Sequence, residues 1–102
     1  MSIAQQTITT AGSTLYTSTG GSAITAMFFM NNHASAVVIQ IHVVKSGDSI
    51  AATNKIVKDL SMAASDTYII DTEKLLLDNG DSIRATADVD SVVNVTISYI
   101  GI

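Results

Sequence analysis

Very few side chains in this 102-residue sequence have the types and spacing that catalysis or metal binding requires. The two histidines, His33 and His42, have neither a cysteine nor a carboxylate at the spacing of a zinc ligand set. Serine and aspartate are plentiful, but no Gly-x-Ser-x-Gly turn marks one serine as a nucleophile. We therefore expect a protein that is not an enzyme and that holds no zinc.

The carboxylates of the second half could meet at one end of the fold, and the segment 78–81 (DNGD) is the clearest candidate among them. This segment is similar to the start of a calcium loop, but it lacks the bidentate glutamate that such loops carry later. Asn79 and Gly80 are better explained by the positive φ angles of a tight turn. Residues 19–22 (TGGS) lack the lysine and the helix of a phosphate loop. We expect no cofactor and no metal.

Composition narrows the class of protein further. Hydrophobic residues make up 47% of the chain and charged residues 14%, which is too apolar for a disordered protein. The net charge is −4 and the five Lys and Arg residues are scattered, so no basic stripe forms and no nucleic-acid partner is expected. Because the sequence has no cysteine, we expect no disulfide and no thiolate metal site.

The first ten residues, MSIAQQTITT, lack the basic and apolar regions of a signal peptide. No apolar run approaches the ~20 residues that a membrane helix requires. We therefore expect a protein that is made in the cytoplasm and has no membrane partner.

Short alternating segments, separated by turn signals about every 8–12 residues, predict the fold. We expect one domain, 1–102, that forms an antiparallel β-sandwich of about eight strands, Ig-like or jelly-roll. A closed barrel is the alternative. Residues 72–77 fit either a single helical turn or a bend. In 55–62 both rows of side chains mix apolar residues with Lys or Asp, which predicts an edge strand. The predicted strands are 3–10, 13–17, 23–30, 36–45, 55–62, 67–71, 82–88 and 92–102.

The most apolar stretch, 22–45, predicts two long strands joined as a hairpin by a polar turn at 31–35. In 23–30 both rows of side chains are apolar, and in 36–45 part of the second row is apolar as well. The number of apolar side chains in this stretch is therefore larger than one face of a core needs. We expect the surplus row to face outward and to bind other chains, unless a second sheet or a bend at 75–77 covers it. The candidate interface residues are Met27, Phe29, Val38, His42 and Val44.

The energetics of such a row favour assembly in several copies. Burying four apolar side chains of this size between chains contributes roughly 6–12 kcal/mol. Association costs on the order of 4–15 kcal/mol, so a single copy of the contact is marginal. We therefore expect a trimer or a lattice rather than a lone dimer.

Three segments of the second half and the order of elements in the first half resemble a known family. The segments are 60–71 (LSMAASDTYIID), 74–85 (KLLLDNGDSIRA) and 93–99 (VNVTISY). In the first half, 14–17 (TLYT) is followed by a glycine turn, a long apolar strand that ends at 31–32 (NN), and a strand rich in Val and Ile. Over nearly its whole length the chain is similar to the small β-sandwich virion proteins of tailed bacteriophages.

The resemblance implies a virion structural protein with no catalytic residues, most often a capsid decoration or cement protein that forms homo-oligomers, commonly trimers. It implies as partners other copies of the chain and the major capsid protein or tail proteins. A tail or baseplate component is one alternative. A glycan- or receptor-binding module is another; the chain has no tryptophan, so only Tyr16, Tyr68 and Tyr99 could stack on a sugar.

Overall fold

A computed structural model describes residues 2–70 and 75–101, apart from the side chains of Ala52 and Lys58. Within these residues the chain forms nine strands and one short 3₁₀ turn, Ala52–Asn54, so the expectation of an all-β chain is confirmed. Half of the residues left open between a helical turn and a bend, 72–74, lie outside the described part, whereas 75–77 belong to a strand that begins at Leu75. The strands are β1 (Ser2–Ile8), β2 (Ser13–Thr17), β3 (Gly21–Asn31), β4 (Val37–Val44), β5 (Lys55–Met62), β6 (Thr67–Ile70), β7 (Leu75–Asp78), β8 (Ser82–Ala87) and β9 (Val93–Gly101).

The strands form two antiparallel sheets that pack face to face. The first sheet has the order β1-β9-β3, and β6 and β7 then share the next position, because β6 pairs with 27–30 of β3 and β7 pairs with 21–24. The second sheet has the order β2-β8-β4-β5. This order is that of a jelly roll, in which two four-position sheets are wound by Greek keys. The predicted antiparallel β-sandwich is confirmed, and its winding is of the jelly-roll type.

The hydrophobic core lies between the two sheets. Strands β8 and β9 alternate regularly, since Ile83 and Ala85 point inward on one and Val93, Val95 and Ile97 on the other. Such alternation is expected where one face of a strand is buried and the other is solvated. The remaining fully buried apolar side chains of the core come chiefly from β1, β3 and β4: Ile8, Ile24, Met27, Phe29, Val37, Ile39 and Ile41.

The predicted hairpin of the most apolar stretch is wrong. Strand β3 pairs with β9, β6 and β7 in the first sheet, whereas β4 pairs with β8 and β5 in the second. The intervening segment 32–36 therefore crosses from one sheet to the other, and the two strands bury their apolar rows in the same core. A hairpin would have put both strands in one sheet and left half of this apolar surface without a partner.

A β-bulge in β3 decides which of its side chains enter the core. The pairing with β9 shifts between Ile24 and Ala26, so that one extra residue is inserted in β3. Because side chains alternate with a period of two, the extra residue exchanges the two rows beyond it. Ile24 is buried before the bulge, while Met27 and Phe29 are buried after it.

Asn31 holds the segment that crosses between the sheets. Its side chain is fully buried, and its Nδ2 lies 3.1 Å from each of the carbonyl oxygens of Ser35, Met62 and Ala63. Its Oδ1 accepts a hydrogen bond of 2.9 Å from the backbone N–H of His33. A buried polar side chain with several such partners stabilises one arrangement of the crossing.

The bulge yields a direct test on two adjacent residues. We expect Phe29→Ala to lower the free energy of unfolding by about 3–5 kcal/mol, since it leaves a cavity in the core. Phe28→Ala, on the other row, should cost about 1 kcal/mol or less. Urea denaturation followed by circular dichroism measures both values. Equal losses at the two positions would contradict the exchange of rows at the bulge.

Candidate functional site

The five residues predicted to form an outward interface are largely inside the molecule. Met27 and Phe29 belong to the core, with exposed fractions of 1% and 0%. Val44 and His42 are also buried, at 0% and 2%, and Val38 alone is partly exposed. The prediction that this row is exposed for binding other chains is therefore wrong, and the alternative that the same chain covers it describes the structure. For β3 the physical reason is the bulge, which turns Met27 and Phe29 inward.

For β4 the reason is a covering loop. Val43 packs against the core, so His42 and Val44 lie on the outer face of the second sheet. The segment 45–54 folds back over this face, where Nδ1 of His42 lies 2.7 Å from Oδ1 of Asn54. A Cβ placed on Gly12 would lie 3.1 Å from Cδ1 of Ile50, which shows how closely the loop approaches the sheet.

Asn54 fixes both the loop and the orientation of its own amide. Its Oδ1 accepts a hydrogen bond of 3.1 Å from the backbone N–H of Ala51, and its Nδ2 donates one of 2.9 Å to the carbonyl of Ser49. With Oδ1 as the acceptor, His42 is the donor through Nδ1. The histidine therefore serves to hold the loop in place.

This arrangement makes Asn54 the residue on which the covering loop depends. We expect Asn54→Ala to lower the free energy of unfolding by about 1–3 kcal/mol, since it leaves Nδ1 of the buried His42 without a partner. Hydrogen exchange of the amides in 45–54 should accelerate in the same variant. Thr53→Ala, at an exposed neighbouring position, is the control. Unchanged exchange in Asn54→Ala would show that the loop is held by other contacts.

The strands of the first sheet are almost free of charged residues. The sequence has five Lys and Arg and nine Asp and Glu, yet within residues 2–70 and 75–101 the five strands of this sheet include only Asp78, at the end of β7. The second sheet, by contrast, carries Arg84 on β8 and Lys55 and Asp59 on β5. Exposed strands usually carry charged side chains that keep them soluble and unpaired. An uncharged sheet with a water-facing side is therefore the most unusual feature of this surface.

Large apolar side chains are exposed on the outer side of the first sheet. Ile69 lies directly across from Phe28, and Met30 is the next outward residue on β3. Nearer the other end of β3, Leu76 and Ile100 flank Ala23, and Leu76 is 74% exposed. We call this set the outer apolar face, and it consists of Ile3, Phe28, Met30, Ile69, Leu76 and Ile100.

The outer apolar face has a neutral polar margin. Phe28 is paired on its other side with Thr96, which in turn is paired with Gln5 of β1. Asn94 of β9 accepts a hydrogen bond of 3.2 Å from Thr7. The six side chains of the face are between 39% and 74% exposed, and contiguous apolar patches larger than a few hundred Å² are rare on single molecules. An apolar centre with an uncharged polar rim is the usual composition of a protein-binding surface.

A groove adjoins this face where the two sheets separate at one edge. It has a volume of about 510 Å³ and lies between β5 on one side and β6 and β7 on the other. Ile56, Val57, Tyr68 and Ile70 contribute to its lining, and Ile69 connects it to the outer apolar face. Apart from the hydroxyl of Tyr68, the side chains that line it in the described part of the chain are apolar, and none is charged.

The residues that suggested chemistry in the sequence have structural partners. The carboxylate of Asp81 accepts hydrogen bonds of 3.0 Å from the backbone N–H groups of Ser46 and Asp78, and Gly80 has a φ of +89°. Tyr16 and Tyr99 stack on each other, with ring centroids 4.3 Å apart. Within residues 2–70 and 75–101, no group of three His, Asp or Glu side chains could hold a metal ion. No helix among those same residues is long and apolar enough to span a membrane.

Comparisons of the chain with protein-family models, with curated proteins and with solved structures found no match. The fold and the surface thus define the class: a jelly-roll domain with one uncharged, partly apolar sheet face.

Sequence reasoning missed the residues of this face, although one signal for them was present. The segments that became β1, β3 and β9 contain no Lys, Arg, Asp or Glu. The sequence alone does not show that these three uncharged strands lie side by side. Their lack of charge indicates a shared uncharged face only once their pairing in one sheet is known. The prediction was based on the apolar content of 22–45, and it therefore selected side chains that are mostly buried.

Proposed function

We propose that this chain is a structural protein of a bacteriophage particle and that the outer apolar face holds it there against other virion subunits. The observation that carries the proposal is the lack of charge on the first sheet together with the exposure of Phe28, Met30, Ile69 and Leu76 on its outer side. A face of this kind gains stability only when another protein covers it.

The size of the face suits a part that is used in many copies. Covering six large apolar side chains that are 39–74% exposed contributes roughly 5–10 kcal/mol. Association costs on the order of 4–15 kcal/mol, so this one contact is close to balanced by itself. A second contact on the same chain would make the assembly stable, as in a shell where every subunit touches several neighbours.

The fold and the family resemblance support the same function. Jelly rolls occur in viral capsid proteins and in lectins, although a fold by itself does not determine function. The resemblance of the sequence to small phage virion proteins favours the first of these uses. The role would be passive, since the domain would reinforce neighbouring capsid subunits by covering apolar surface at their junctions. Attachment to the capsid is our first proposal, and attachment to the tail is the second.

A pair of matched variants tests the role of the face. Phe28→Asp places a carboxylate at the centre of the face, where the side chain is 39% exposed, so the protein should still fold. Thr14→Asp introduces the same charge at an exposed position of the second sheet. We expect Phe28→Asp to abolish incorporation into phage particles and Thr14→Asp to leave it intact, because a buried unpaired charge opposes assembly. Gradient purification followed by mass spectrometry of the particles measures incorporation.

Electron microscopy of the purified particles distinguishes the remaining uses. Density for the domain on the shell would support a decoration or cement protein, and density on the tail would support the tail alternative. Absence of the chain from purified particles would contradict the proposal. Binding to a glycan array that survives Phe28→Asp would favour a glycan-binding module.

A further inference from the structure

The four sheet edges of the molecule differ in how well they are protected against pairing with another chain. Strand β5 has two register irregularities against β4 and includes Lys55 and Asp59. Strand β2 is also irregular, and β6 and β7 are only four residues each. Bulges, charges and short length are the usual protections of an edge strand.

Strand β1 has none of these protections. It pairs with β9 over all seven of its residues, from Ser2 to Ile8, without a register shift. Its sequence, SIAQQTI, has no charged residue, no proline and no glycine. No strand in the described part of the chain pairs with its other side. A regular, uncharged edge of this length is a template for another strand.

The hydrogen bonds at the end of β1 show which backbone groups face this free side. The carbonyl of Ile8 accepts a hydrogen bond of 3.0 Å from the N–H of Ser91, next to β9. The carbonyl of Thr7 accepts one of 3.0 Å from Oγ of Ser13, which lies on β2. Because backbone groups alternate in direction along a strand, the N–H and C=O of Ile3 and Gln5 point the same way as those of Thr7. The free side is therefore open along residues 2–6.

We propose that β1 pairs antiparallel with β1 of a second copy of this chain, around a twofold axis at Ala4. In this register the backbone of Ile3 pairs with that of Gln5 of the partner subunit, and the reciprocal pair gives about four hydrogen bonds in all. Residues 2–6 are symmetric about Ala4, so the whole open stretch is used. The first sheets of the two copies become one continuous sheet.

The lack of charge on β1 favours a second copy as the occupant. In a twofold antiparallel pairing about Ala4, Ala4 faces its own symmetry mate and Ile3 and Gln5 are diagonal neighbours of theirs, so a charge at any of these positions would lie near a like charge. Strand β1 avoids this repulsion because all of its residues are neutral. Ile3, which is 62% exposed, would then lie beside the partner subunit, and the two outer apolar faces would adjoin. This inference goes beyond the proposed function and does not depend on it.

Single cysteines test the pairing and its register, since the chain has no cysteine of its own. In the proposed pair the two Ala4 Cα atoms lie about 4.5 Å apart, within the roughly 4.4–6.8 Å range of disulfides. The Ile3 residues of the two copies are diagonal neighbours at roughly 7–8 Å or more. We expect Ala4→Cys to form a covalent dimer under mild oxidation, and Ile3→Cys and Thr14→Cys to form little. Equal cross-linking of all three variants would reflect random collision and would overturn the proposal.

Charge pairing at Gln5 provides a second and independent test. Gln5→Lys and Gln5→Glu should each raise the Kd of the dimer roughly twofold to fivefold, because the two like charges are diagonal neighbours across the axis, within reach of long side chains. An equimolar mixture of the two variants should recover dimers, since opposite charges then meet. Sedimentation velocity measures each sample, and circular dichroism confirms folding. A mixture that dissociates as much as the single variants, or a wild-type chain that is monomeric at 100 μM or so, a concentration at which even weak pairs associate, would overturn the proposal.

These tests are separate from those of the outer apolar face. Phe28→Asp should leave the Ala4→Cys cross-link intact, because Phe28 lies on β3, away from the edge. Edge pairing also gives even numbers of copies, whereas the trimer expected from the family resemblance requires a threefold contact. Native mass spectrometry that shows only trimers would overturn edge pairing and leave the function of the face unaffected.

Discussion

The burial of β3 and β4 in one core is the interaction on which the rest of the structure depends. Both strands are rich in large apolar side chains, and both contribute fully buried residues to the same cluster. Because they belong to different sheets, their apolar rows can face each other across the core. The crossing segment after Asn31, and the hydrogen bonds that hold it, follow from this placement. The two sheets are brought together by these strands, and the other strands extend them.

The bulge in β3 then determines what the surface of the molecule is. Beyond the register shift at Ile24 and Ala26, odd-numbered residues are buried and even-numbered residues are outside. Phe29 therefore fills the core, and Phe28 and Met30 are exposed on the outer side of the first sheet. One inserted residue thus separates a side chain that stabilises the fold from a neighbour that is available for binding.

Much of the fold could be predicted from local pattern. The bounds of β2 and β5 follow from alternation and from turn residues, which act over short distances along the chain. The partner of β3 could not be predicted in this way, since a short polar turn fits a hairpin and a crossing between sheets equally well. The bulge at Thr25 and Ala26 also has no glycine to mark it. The burial of His42 and Val44 depends on a loop whose path is set by Asn54, and no alternating pattern reports such a contact.

The uncharged strands of the first sheet have a consequence for how any contact through them responds to its surroundings. Such a contact contains no ion pairs, so dissolved salt has no Coulomb attraction to screen. Its strength follows the cost of hydrating apolar surface, which sulfate and other excluded solutes increase and which cooling reduces. A molecule held in this way remains bound at high salt concentration and binds less tightly at low temperature.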